Sequence, residues 1–145
     1  MKKKELTQEE LMKKITKNLS LVEKMSFLEQ HAVFMGKAQL VELELGGLLI
    51  RKYNYDEEEI GKYTLGKIIR ELQKHKLRPD FVELLKELLK YRNSLAHEFL
   101  GVTAMGNKLA GSDFEKLQYK ELRYALFKVE EVTHVYDFLS ENEMI

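Results

Sequence analysis

Apolar residues recur along this chain at steps of three and four, the spacing of helices with one buried face. Thr7 with Glu10 forms a capping box, and Leu11, Ile15, Leu19 and Val22 follow at helical spacing, predicting a helix over residues 8–24. Ser26 with Glu29 repeats the signature and starts a second helix over 27–53. A single helix across both segments would be unusually long for a globular domain, so a break is expected between them. Residues 53–63, with the acidic run 56–59, read as a solvated connector without the alternating spacing of a calcium loop. Thr64 then caps a short helix ending near residue 76, with Leu65, Ile68, Ile69 and Leu72 turned inward. Arg78, Pro79 and Asp80 restart the chain, proline being well placed in a first helical turn.

The helix that follows is predicted to run to about residue 100. Residues 101–111, GVTAMGNKLAG, carry three glycines and read as a flexible connector. They fail as a phosphate-binding loop, because Asn107 separates Gly106 from Lys108, no Ser or Thr follows, and a helix rather than a strand precedes them. Ser112 with Glu115 opens the last helix, whose stripe is Leu122, Leu126, Val129 and Val132 and which fades near residue 141. Gly36 and the pair Gly46 and Gly47 each weaken the second helix by about 1 kcal/mol, which close helix–helix approach or a kink would explain. The sum is an all-α, up-and-down bundle of four to five helices in a single domain spanning 1–145.

One helix breaks its own pattern. In residues 84–100, LLKELLKYRNSLAHEFL, Arg92 falls within about 40° of Phe81, Leu85 and Leu88 at 100° per residue. A guanidinium thus occupies the middle of an apolar stripe, and buried arginine is rare unless paired or functional. Asn93 comes next, and His97 lies four residues after it on the same face. Arg92 and His97 point about 140° apart on a straight helix. Convergence on one phosphate therefore needs either two copies across a two-fold axis or fraying of the helix after Arg92.

Composition narrows the possibilities. The chain of 145 residues is the size of one domain, and 44% apolar with 33% charged residues is a globular profile. Absence of cysteine excludes disulfides and thiolate metal sites. The lysine- and glutamate-rich start has no apolar segment behind it to act as a signal peptide, and the most hydrophobic window, residues 38–50, is interrupted by Glu42 and Glu44. A cytoplasmic protein without membrane contact is expected. Net charge is zero, but residues 61–97 hold nine Lys/Arg against four Asp/Glu, while 1–60 and 98–145 carry −1 and −4. Such asymmetry focuses a polyanion on one face of a neutral protein, although ordinary intrahelical charge pairs produce it too. His31, His75 and His134 each lack a second ligand at helical spacing, so neither a metal nor another cofactor is expected. Tyr53, Tyr55 and Tyr63 read either as a base-stacking platform or, preferably, as the closed end of a bundle.

The run R-N-x-x-x-H at Arg92, Asn93 and His97, within YRNSLAHEF and after TLGKIIREL at 64–72, resembles the HEPN superfamily, whose mark is Arg, usually a polar residue, then His after four to six intervening positions. The gap here is four. The resemblance covers residues 27–139, leaving 1–24 as an extra N-terminal helix. It implies a metal-independent endoribonuclease, or a toxin-like component of a prokaryotic defence or stress system, acting as a homodimer with the Arg–His pairs at a shared cleft. His97 would move protons at neutral pH, Arg92 would stabilise the phosphate, and Asn93 would orient the imidazole or bond a phosphate oxygen. The products implied are a 2′,3′-cyclic phosphate and a 5′-hydroxyl end, and Lys86 and Lys90 would attract the RNA backbone.

Some members of that family bind RNA, nucleotides or partner proteins without catalysis. Members neutralised by a nucleotidyltransferase antitoxin carry a modifiable tyrosine two residues after the histidine. Phe99 stands there in this chain and has no hydroxyl, which puts that partner's usual route in doubt. A purely structural account also exists: Arg92 snorkels out of the stripe or pairs with Glu42 or Glu44, and His97 caps the helix C-terminus.

Overall fold

A computed structural model describes the backbone of residues 5–109 and 112–145, with side chains for 5–96 and 118–145. Six helices and no strand occur among the described residues: α1 Gln8–Val22, α2 Phe27–Tyr53, α3 Glu57–Ile60, α4 Leu65–Lys74, α5 Pro79–Leu109 and α6 Ser112–Glu141. The protein is an all-α helical bundle. Thr7 Oγ1 accepts from the Glu10 amide at 3.2 Å and opens α1. The predicted break before α2 is present because Ser26 and Glu29 satisfy each other's amides in a reciprocal capping box. Asn54 ends α2 in the left-handed conformation at φ 62°, which asparagine tolerates better than most residues.

Two expectations change. The acidic connector contains a helical turn, α3, because Asp56 caps it and Glu57, Glu58 and Glu59 sit at the positive end of its dipole. The count among the described residues is therefore six helices rather than four or five. The connector predicted from residue 101 is helical to Leu109, so α5 continues past the predicted end near residue 100. Gly101 and Gly106 weaken a helix by about 1 kcal/mol each but do not forbid it, and no proline interrupts the segment. The Ser112–Glu115 capping box lies outside the described side chains.

Helix α6 is the central pillar, packed on α1, α2 and α5, while α4 covers α2 and α5. Phe34, Leu45, Leu49, Phe81, Leu85, Leu88, Leu122 and Val129 form the dry centre. The α6 stripe is buried as its spacing predicts, Leu122, Leu126, Val129 and Val132 all facing inward. Ile15 of α1 is fully buried as well, so the N-terminal helix belongs to the core. The glycines of α2 divide. A Cβ on Gly46 would meet Ile60 Cγ2 at 2.9 Å, which accounts for glycine by close approach to α3. Gly36 has nothing within 4 Å of a built Cβ, so close approach does not explain it.

Candidate functional site

Arg92 emerges from the middle of the α5 stripe, between buried Leu88 and Leu95, yet its side chain is only half-buried. The expectation of a buried guanidinium is corrected for a local reason. Helix α2 presents Met35, Gly36, Gln39 and Glu42 at this level, and together with Arg92 they line a groove of 270 Å³. Glycine supplies no side chain to close the seam, so the long arginine stem crosses apolar surface and its head reaches water.

Among the described residues no ion pair joins Arg92 to Glu42 or Glu44, and its recorded hydrogen bond, Nη1 to Asn93 Oδ1, is at the outer limit of 3.5 Å. Glu44 lies elsewhere on α2: burial and the nearby Asp137 carboxylate raise its pKa, and Arg51 opposes them. Asn93 is exposed beside Arg92, and Ser94 Oγ donates to Glu121 Oε1 at 2.8 Å, tying α5 to α6.

The side chains of His97 and Phe99 lie outside the described residues. The backbone of α5 is continuous through them, which removes fraying after Arg92 as a way to converge Arg92 and His97. Lys86 and Lys90 are exposed, with Lys86 3.6 Å from Glu83. They point about 120° and 160° from Arg92 around the helix, on the outer face of α5 and away from the groove. Tyr91, the nearest phenol in sequence, is half-buried against the core.

Two features escaped the sequence reading. His31 stands in the same seam, its Nε2 donating to the Leu95 carbonyl at 3.2 Å, one helical turn beyond Arg92. The signal was available, because His31, Met35, Gln39 and Glu42 share one face of α2. The second is a buried polar cluster. The Glu130 carboxylate is 3% exposed and receives Lys37 Nζ and, at 2.8 Å, Asn18 Nδ2, which also lies 3.2 Å from His134 Nε2, itself 3.3 Å from the carboxylate. Glu130 follows Leu122 and Leu126 at four-residue steps, so its place inside the α6 stripe was readable too.

The tyrosines close one end of the bundle. Tyr53 stacks on His75 with centroids 4.0 Å apart, and the Tyr55 hydroxyl bonds Glu71 Oε1 at 3.1 Å and His75 Nε2 at 2.9 Å. Tyr63 donates to Glu59. The Lys74 ammonium, 2.7 Å from Glu71 Oε2, and the Tyr55 hydroxyl hold the Glu71 carboxyl below the usual carboxylate range.

Among the described residues no three acidic or imidazole groups converge as a metal-ligand set, and no helix is long and apolar enough to cross a membrane. Comparison of the chain with protein-family models, curated proteins and solved structures returns no match. A half-buried guanidinium with an amide beside it can bond an anion such as a phosphodiester, while the Glu42 carboxylate in the lining of the same groove opposes one.

Proposed function

We propose that the chain is a HEPN-like, metal-independent endoribonuclease, or toxin-like component of a prokaryotic defence or stress system, that works in the cytoplasm as a homodimer. Arg92 and His97 act at a cleft between the two copies, with Asn93 beside them. The observation that supports this reading is the Arg92 guanidinium at the rim of the groove lined by Met35, Gly36, Gln39 and Glu42, beside the exposed Asn93 amide and without an ion pair among the described residues. The unbroken α5 helix adds support, since it leaves a second copy as the means of bringing a cation and an imidazole to one phosphate.

An imidazole takes the proton of the 2′-hydroxyl, whose oxygen then bonds phosphorus. The bond from phosphorus to the 5′-oxygen breaks, and a second imidazole, the equivalent group of the other copy, protonates that oxygen. An unperturbed imidazole titrates near 6.5, so a histidine such as His97 serves both roles at neutral pH. Arg92 bonds the non-bridging oxygens as charge gathers on them. The products are a 2′,3′-cyclic phosphate and a 5′-hydroxyl. A nucleotidyltransferase-type partner, if there is one, must control the activity without a hydroxyl at Phe99.

Incubating RNA with the chain in EDTA tests this. His97→Ala should lower cleavage by about 10²- to 10⁴-fold. Arg92→Ala should lower it by about 10²- to 10³-fold while shifting stability by no more than about 0.5 kcal/mol, because a half-buried side chain with no ion pair among the described residues is removed. Equal cleavage by parent and His97→Ala, or none by the parent, removes the enzyme. RNA retention without cleavage would make the chain a non-catalytic binding module.

A further inference from the structure

Among the described residues, no element covers the outer face of α2. Ala32, Gly36, Leu40, Leu43 and Gly47 lie within about 40° of its centre, opposite the buried Phe34, Ala38, Val41 and Leu45. Leu40 and Leu43 are 60% and 65% exposed, and the space over Gly36 is open. The face thus presents two large apolar knobs and, one to two turns away, a hole.

The order of these residues is the same read from either end. Positions 32, 36, 39, 40, 43 and 47 are separated by four, three, one, three and four residues. A two-fold axis between Gln39 and Leu40 would set Leu43 of each copy over Gly36 of the other, and Ala32 against Gly47. Such an antiparallel pair also brings exposed Glu29 within one residue of the level of Arg51, whose guanidinium folds over Gly47 on this face. Within one helix those two charges are about 33 Å apart and cannot meet. Between copies they are complementary, and a net charge of zero sets up no long-range repulsion.

We propose that this face seats a second copy of the chain, antiparallel about the point between Gln39 and Leu40, so that the two Arg92 grooves open side by side in one cleft. The pairing rests on the functional reading above only for the meaning of the cleft. Met35, Gln39 and Glu42, which line the groove, occupy one flank of α2, about 60° to 120° from the face centre. A two-fold axis perpendicular to antiparallel helices leaves that flank on the same side in both copies, whereas a parallel pair would place the grooves on opposite sides. The lining residues lie close to the axis in level, so the two arginines come within about 5 Å of each other's height along the helices. Each copy then completes the other's site.

The chain has no cysteine of its own, so introduced ones report register cleanly. Leu40→Cys should oxidise to a disulfide-linked dimer. Ala32→Cys alone should not, its two copies lying about 22 Å apart, but mixed with Gly47→Cys it should. Leu43→Glu should sediment as a monomer that still melts in one sharp transition, at a temperature that no longer depends on protein concentration. Glu29→Arg and Arg51→Glu should each weaken the dimer, and their combination should restore it. Self-linking of Ala32→Cys, or a Leu43→Glu protein that remains dimeric, or a wild-type monomer at every concentration, overturns the proposal. Wild-type RNA cleavage without any of the expected links would remove this surface and leave the functional reading standing. A linked dimer that neither binds nor cuts RNA would do the reverse.

Discussion

At the scale of single residues, the decisive feature is which charged groups are sealed and which are open. Arg92 looked like a buried cation from its position in the stripe, and its Cα is where helical arithmetic places it. Whether the head reaches water depends on the size of the residue opposite, and Gly36 comes from another helix. Glu130 is the reverse case, a carboxylate within the core that holds Lys37, Asn18 and His134. Glu130→Ala should cost about 2 kcal/mol in urea unfolding, less than a fully buried pair because Lys37 keeps partial access to water. Glu71 gives a pH signature. Its carboxyl is held low by Lys74 and Tyr55, so its contribution is present above the ordinary carboxylate pKa near 4 and is lost as pH falls through the lower folded value. Glu71→Gln should flatten that acid limb in pH-dependent melting, whereas an unchanged limb would show that the pair is not stabilising.

At the scale of elements, the same residue type does opposite things on one helix. Gly46 is required by the approach of Ile60, and Gly36 faces open space. Gly46→Ala should destabilise by about 1 kcal/mol, overpacking against a stiff β-branched side chain outweighing the gain in helix propensity. Gly36→Ala, measured in the monomeric Leu43→Glu background, should stabilise by about 0.5–1 kcal/mol. Chemical denaturation of the two proteins decides both. Helix starts were legible because caps are local: Thr7, Ser26, Thr64 and Pro79 open helices where predicted. The turn α3 and the continuation of α5 were missed because glycine and acidic runs shift helix propensity by amounts that neighbouring turns easily offset.

At the scale of the whole molecule, α1 is not an appendage. It packs on α6, buries Ile15 and delivers Asn18 to the Glu130 carboxylate. Removing residues 1–22 should abolish cooperative thermal unfolding, since it strips α6 of one apolar partner and leaves a buried acid short of a donor. A truncated protein that still melts sharply would show that the bundle of 27–139 stands alone.

The local rules written into the chain settled its helical class, most helix starts, the inward stripes of α4 and α6, and the register of Arg92, Asn93 and His97, because these follow from dihedral preference and periodicity over a few residues. Contacts between residues far apart in sequence decided the rest. The open seam at Gly36 sets the reach of Arg92, Leu95 gives His31 a place beside it, and three helices meet at Glu130. Such meetings depend on how helices are laid against one another, and no window of neighbouring residues encodes that arrangement.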